Sequence, residues 1–282
     1  MTIEVARSIP EIRNIVAKAK QDGQTVGLVP TMGGLHAGHI SLIEHAGNLC
    51  DHVLVSVFVN PTQFNRKEDF ENYPGNEAED LKVLSGTCTN SVFAPSATEV
   101  YPEGFATSVT VSTGDKILCD AHRPGHFDGV ATVVTKLFLQ TGADIACFGE
   151  KDYQQLFIVK RLVADLNIPI RIEPVPTVRE TDGLALSSRN ARLTPEERLL
   201  ATRLHRALEQ VADAVRGGEA ASLAIAKAQT WLESDNRFDV EYLEMRSGKT
   251  LEILERPDEQ DEPRVFIAAN LGKVRLIDNI AV

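Results

Sequence analysis

Apolar residues recur along the chain first at helical spacing and then in short unbroken runs. Ile12, Ile15, Val16 and Ala19 follow Ser8 and Glu11, a pair placed three apart as in a capping box, and Asp22-Gly23 closes the segment. Residues 25–30 read as a buried strand, 38–48 as a helix and 52–59 as a second strand, with β-branched residues in an almost continuous apolar run. Such runs suit a parallel sheet covered on both faces. Strands at 91–94, 144–148 and 170–173 and helices at 130–140 and 153–166 continue the alternation. The pattern predicts a doubly wound, Rossmann-like parallel sheet over residues 1–175.

Beyond residue 175 the order changes. Thr194, Pro195 and Glu197 combine an N-cap, a first-turn proline and a capping glutamate, and Leu200, Leu204, Leu208, Val211 and Val215 form one apolar stripe before Gly217-Gly218. A helix at 223–232 and strands at 240–245, 265–269 and 274–277 follow, with an acidic solvated loop at 257–263. Helices followed by strands predict a smaller α+β domain over residues 176–282.

Length and charge narrow the function. The 282 residues suffice for one large α/β domain and a smaller partner, and 43% hydrophobic with 24% charged residues excludes wholesale disorder. Against 29 Lys and Arg stand 40 Asp and Glu, a net charge of −11 that argues against nucleic acid or an anionic membrane as the main partner. Apolar runs such as 53–59 are too short to span a bilayer, and the first 13 residues are charged and contain a proline, unlike a signal peptide. Cys50, Cys88, Cys119 and Cys147 form no CxxC pair and read as reduced, mostly buried thiols of a cytoplasmic protein.

Five segments carry chemistry. PTMGGLHAGH (30–39) leaves a predicted strand and opens a predicted helix. Its glycines at 33, 34 and 38 suit a tight turn, and amides at the coming helix N-terminus suit phosphate. His36 and His39 would donate from this turn to phosphate oxygens; a glycine turn with two surface histidines, or a zinc site with His45, His52 and Cys50, are the competing accounts. FVNPTQF (58–64) follows the second strand, on the side where open α/β sheets bind ligands, and offers Asn60 and Gln63 to hydroxyl or carboxylate groups. RPGHF (123–127) places Arg123 at a turn, where it can clamp an anion or simply shape the surface.

FGEKDYQQ (148–155) sets Lys151 at a helix start, against the dipole, which points to an anionic partner; Asp152 would hold that lysine or a ribose hydroxyl, and Gln155 lies one turn on. DGLALSSRN (182–190) groups Ser187, Ser188 and Arg189 in a loop able to close over a site and retreat. Neither GxxxxGK[ST] nor GxGxxG occurs, which disfavours P-loop and dinucleotide folds.

Together these stretches, in this order and nearly end to end, resemble the pantothenate synthetase (pantoate–β-alanine ligase) family. PTMGGLHAGH is similar to its version of the HIGH signature of class I aminoacyl-tRNA synthetase-like nucleotidyl transferases, and the closing RLIDN is also family-like. The resemblance implies ATP-dependent condensation of pantoate with β-alanine through pantoyl adenylate, releasing AMP and pyrophosphate, in a homodimer. It implies that residues 1–175 bind ATP and pantoate and that 176–282 close over the site. By resemblance, His36, His39, Lys151, Ser187 and Arg189 are catalytic, with His39 the proton donor. Met32, Gly33, Gly34, Leu35, Ala37, Gly38, Gly149, Glu150, Asp152, Val178, Leu186 and Ser188 complete the nucleotide site. Asn60, Gln63, Arg123 and Gln155 hold pantoate, and Glu79 and Asp80 lie near ATP-bound Mg2+. One departure is clear: the family's YPRT reads Tyr73-Pro-Gly-Asn76 here, one positive charge fewer. The alternatives are an adenylyltransferase for another small carboxylic acid or phosphate ester, and a non-catalytic nucleotide-binding module.

Overall fold

The computed structural model describes residues 3–65, 70, 71, 73, 75–112 and 116–282, so Pro74 of the YPRT-like segment and the first two residues of the chain lie outside it. Contacts divide the chain into two units, one comprising Met1–Glu150 and Gln154–Pro176, the other Lys151–Tyr153 and Thr177–Val282.

The first unit is built on a parallel sheet. Its strands are β1 (Glu4–Ala6), β2 (Val26–Thr31), β3 (His52–Val57), β4 (Ser91–Phe93), β5 (Ile145–Gly149) and β6 (Arg171–Val175), in the order β1-β4-β3-β2-β5-β6. β2 pairs with β3 from Val26↔His52 to Thr31↔Val57, and with β5 at Gly27↔Ile145 and Leu28↔Ala146. The chain builds outward from β2 through β3 on one side and from β5 through β6 on the other. β2 and β5 therefore flank the switch point where such sheets leave a crevice beyond their carboxyl ends.

Several helices start at side-chain caps. α1 (Ile9–Gln21) starts at the Ser8–Glu11 capping box, as the spacing predicts. α2 (Ala37–Leu49) lays Ile43 and Ala46 on Val29, Val53 and Val55 of the sheet. α3 (Glu77–Leu84) is capped by Asn76. The short α4 (Ala97–Val100) and α5 (Cys119–His122) precede α6 (His126–Thr141), which begins four residues before the predicted helix because left-handed Gly125 turns the chain into it. α7 (Tyr153–Asp165) follows β5.

In the second unit α8 (Pro195–Arg216) and α9 (Ala221–Glu233) pack on an antiparallel sheet of β7 (Phe238–Ser247), β8 (Pro263–Leu271) and β9 (Val274–Ala281), ordered β7-β8-β9. The predicted stripe on α8 is its buried face: Leu204, Leu208, Val211 and Val215 are at most 1% exposed and meet Met245, Val265 and Ile267. Among the described residues no helix is long and apolar enough to cross a membrane.

Cysteine burial departs from the expectation. Cys119 and Cys147 are buried, but Cys50 is only half-buried and Cys88 is exposed, its thiol donating to the Ile43 carbonyl at 3.3 Å. Burial first, then Cys50 and Glu173, push the Cys147 thiol up to about 12. Native-state alkylation at about pH 8 therefore modifies Cys88 while sparing Cys147 until the protein unfolds. Peptide mass mapping checks this; equal labelling of the two would contradict the burial.

Candidate active site

The turn between β2 and α2 is held almost entirely by side chains. Gly33 and Gly34 have φ of 80° and 63°, the left-handed region, and a Cβ on Gly33 would lie 2.7 Å from Asp80 Oδ2. The Gly34 amide donates to Asp80 Oδ2 (3.0 Å) and the Leu35 amide to Asp80 Oδ1 (2.9 Å). The Gly33 amide donates to Thr31 Oγ1 at 3.3 Å, and that hydroxyl donates to the Ser56 carbonyl at 2.7 Å. Three of the turn amides expected to suit phosphate, those of Gly33, Gly34 and Leu35, thus donate to side chains of the protein itself.

His36 and His39 complete the same device. His36 is the N-cap of α2 and His39 its N3 residue, so the two form a capping box in imidazole. The Gly38 amide donates to His36 Nδ1 (3.1 Å) and the His36 amide to His39 Nδ1 (3.3 Å). The His39 amide bonds the His36 carbonyl at 2.8 Å. The ring centroids are 4.1 Å apart. Because each Nδ1 accepts, each neutral ring carries its proton on Nε2. The spacing of three thus serves the helix and fixes the tautomer together, and each half-buried ring presents an N–H donor.

The NPTQ loop is a second polar construction. Asn60 is 1% exposed; its Nδ2 donates to Gln63 Oε1 (3.0 Å) and to the Gly129 carbonyl (3.1 Å). Its Oδ1 accepts from Tyr101 (2.8 Å) and Thr62 (2.9 Å). Burial pushes the Tyr101 phenol up, keeping it a donor. Asn60, expected to touch substrate, spends its amide on the loop and on aiming Gln63, whose Nε2 is the end turned away from it. Arg123 likewise braces: it donates to His126 Nε2 (3.1 Å), whose Nδ1 donates to the Gln63 carbonyl (2.8 Å). Asn60, Gln63 and Arg123 are thus brought together.

Other expected residues are placed more simply. Met32 is half-buried, and Ala37 is exposed at the first turn of α2. Gly149 ends β5, and Glu150 and Asp152 lie on the single 3-10 turn that follows. Gln155 is half-buried on α7, whereas its neighbour Gln154 is buried, accepting from the Cys119 amide and donating to the Ile117 carbonyl. Glu79 is exposed, and Asp80 is 4% exposed with its carboxylate on two amides. The zinc account has no support among the described residues, where no three His, Cys, Asp or Glu side chains gather as ligands.

In the second unit Lys151, Ser187, Arg189 and Asn190 line one narrow recess. Lys151, its side chain 16% exposed, lies 3.8 Å from Asp152. The Leu186 amide donates to the Val178 carbonyl (3.0 Å), so these two residues close a hairpin-like strap that ends at Ser187. Ser187 caps the turn Ser188–Arg192, its Oγ accepting from the Arg189 amide at 3.2 Å. Asn190 Oδ1 is buried with no hydrogen-bond partner among the described residues, a polar atom aimed where a ligand or water would satisfy it. Asp182, bonded by Arg198, is held below the usual carboxylate range. Tyr101 lies outside the motifs, and Gln154, Asp278 and Asn279 lie within them without a stated role; each acts through a partner far away in sequence.

A parallel α/β sheet with a histidine-capped glycine turn beyond its central strand agrees with the fold that the resemblance implies. Comparison with known proteins is more specific. The Pantoate-beta-alanine ligase family profile matches residues 4–281. Proteins named pantothenate synthetase from Cereibacter sphaeroides and Paramagnetospirillum magneticum are 54% and 51% identical, each over 99% of this chain and 99% and 98% of their own. The crystal structure of pantothenate synthetase from Thermus thermophilus is 41% identical, with a TM-score of 0.92 over 99% of both chains. That of the pantoate-beta-alanine ligase from Francisella tularensis, complexed with beta-gamma ATP and β-alanine, is 34% identical, with a TM-score of 0.83 over 99% of this chain and 98% of its own. The chain belongs to the pantoate–β-alanine ligase family, and its activity is the formation of pantothenate from pantoate and β-alanine.

The double amide bond at Asp80 has a measurable consequence. Asp80→Asn turns one acceptor into a donor facing an N–H, so urea unfolding is expected to show a loss of about 1–3 kcal/mol. An unchanged midpoint would show that the carboxylate does not hold the turn.

Proposed function

We propose that the reaction runs in two steps through an acyl adenylate, with MgATP as the activating substrate. A pantoate carboxylate oxygen attacks the α-phosphorus of ATP, forming the new P–O bond as pyrophosphate leaves. The β-alanine amine then attacks the acyl carbon, AMP leaves with the bridging oxygen, and the amine loses a proton. Activation is needed because an uncatalysed carboxylate would have to expel oxide. The site's task is to hold charge moving onto pyrophosphate and to keep water from the mixed anhydride.

The observation that carries this reading is the imidazole pair with its protons on Nε2. His36 and His39 are neutral donors held rigidly by the helix they cap, suited to phosphate oxygens as charge grows on them. Lys151 and Arg189 supply the positive charge, with Ser187 and Ser188 as further donors. Gly149, Glu150, Asp152, Val178 and Leu186 border the nucleotide, and Met32, Gly33, Gly34, Leu35, Ala37 and Gly38 shape the turn beside it. Gln63 and Gln155 hydrogen-bond pantoate, with Asn60 and Arg123 fixing Gln63. Glu79 and Asp80 would lie near ATP-bound magnesium, which would neutralise phosphate charge; the Asp80 carboxylate is engaged by two amides and Glu79 is exposed. The reading also places the enzyme in the cytoplasm as a homodimer.

ATP–pyrophosphate exchange tests substrate and intermediate together. Exchange should require pantoate and not β-alanine, and Lys151→Ala should slow it by roughly 10²–10³-fold. Exchange without pantoate would overturn the acyl adenylate, and near-native exchange in the variant would remove Lys151 from the chemistry.

A further inference from the structure

β9 contains a break in its burial pattern that sheet packing does not require. Asp278 and Asn279, consecutive residues whose neighbours alternate between buried and half-buried, are 5% and 3% exposed. Two adjacent buried polar side chains on one strand cost free energy unless every group is partnered. Here the partners lead to two cationic residues of the recess, Lys151 and Arg189.

Asp278 holds the strap. Its Oδ2 accepts from Arg179 Nη1 at 2.6 Å and its Oδ1 from Arg179 Nη2 at 2.9 Å, a fork-to-fork pair. The same guanidinium donates to the Gly183 carbonyl (3.1 Å) and the Asn279 carbonyl (3.2 Å). Arg179 also bridges Ala185 across the strap, so one side chain ties both of its limbs to β9. Ser187 and Arg189 extend from that strap. The His205 ring meets the remaining side, its Nδ1 3.8 Å from Asp278 Oδ2 and its Cδ2 2.5 Å from where a Cβ on Gly183 would lie.

Asn279 holds the lysine. Its Nδ2 donates to the Lys151 carbonyl at 2.9 Å, and its Oδ1 accepts from Arg264 Nε at 2.9 Å. The Arg264 guanidinium lies 4.2 Å from the Tyr153 ring centroid, and the Tyr153 hydroxyl donates to the Gly248 carbonyl at 3.2 Å. The backbone on both sides of Asp152 is therefore pinned to the C-terminal sheet. The two arms meet at a single peptide, because the Asn279 amide donates to Asp278 Oδ1 at 2.7 Å.

We propose that Asp278 and Asn279 are positioning residues that set the spacing between Lys151 and Arg189 for adenylate formation, one residue gauging each cation. This rests on the two-step reading above. A displacement of about 1 Å at either cation is enough to cost up to about 100-fold in rate. Neither residue needs to touch substrate.

The test uses the full-length enzyme with two substitutions, each loosening one arm and keeping its polarity. Asn279→Ser is too short to reach the Lys151 carbonyl, and Arg179→Lys keeps the charge but cannot form the fork. Native enzyme is first assayed for pantoate-dependent pyrophosphate release; its absence would sink the two-step reading itself. With the native reaction in place, each variant, confirmed folded by circular dichroism at the assay temperature, should slow single-turnover pyrophosphate release by about 10–100-fold. Conversion of supplied pantoyl adenylate by β-alanine should stay within about twofold, and the double variant should lose less than the two single losses multiplied. Adenylation within about twofold of native in both variants, or equal slowing of both half-reactions, would overturn the proposal. Failure of both variants to fold would make the pair a stability element and overturn it equally.

Discussion

Asp80 occupies the position that a phosphate takes in a glycine-rich loop: two successive amides, Gly34 and Leu35, point at one buried anion. With that anion supplied by α3, the turn is fully formed before any ligand arrives. The residues around it follow from the same constraint. Gly33 must lack a Cβ because the carboxylate stands where one would go. Two further amides at the start of α2, those of His36 and Gly38, donate to the Nδ1 atoms of His39 and His36, which places the ring protons on Nε2.

The same logic recurs elsewhere in the molecule. Asn60 saturates the NPTQ loop so that Gln63 faces one way, and Arg123 with His126 fixes its carbonyl. In the second unit Asp278 holds Arg179 while Asn279 holds the Lys151 backbone. In each case a buried polar side chain with several hydrogen-bond partners orients a neighbouring group. Such networks are rigid because any partial rearrangement leaves a buried group unsatisfied. A site that must contact a charge moving along a triphosphate benefits from donors that need no reorganisation.

How much of this the sequence displays depends on the range of each interaction. The capping boxes of α1 and α8, the apolar run of β3 and the stripe of α8 are local patterns, and they appear where the spacing puts them. β1 does not stand out, since three residues carry no period and its pairing with β4, Glu4 with Ser91, depends on a segment 87 residues away. α3 escapes the pattern although Asn76 caps it, because its few apolar positions form no long stripe. The identities of the site residues are legible as motifs, but the directions of their hydrogen bonds are not. Nothing local shows that Asp80 accepts from amides 45 and 46 positions back, or that Asn60 bonds Tyr101 and Gly129, 41 and 69 positions on.

The central claim, that backbone amides of the glycine turn are committed within the protein and that the imidazoles present Nε2–H instead, is open to direct measurement. Long-range proton–nitrogen correlation spectra of the ring nitrogens at about pH 8, where histidine is ordinarily neutral, report which nitrogen carries the proton. The account predicts that His36 and His39, assigned by single replacement, each show an unprotonated Nδ1 and a protonated Nε2. A proton on Nδ1 of either ring would contradict it.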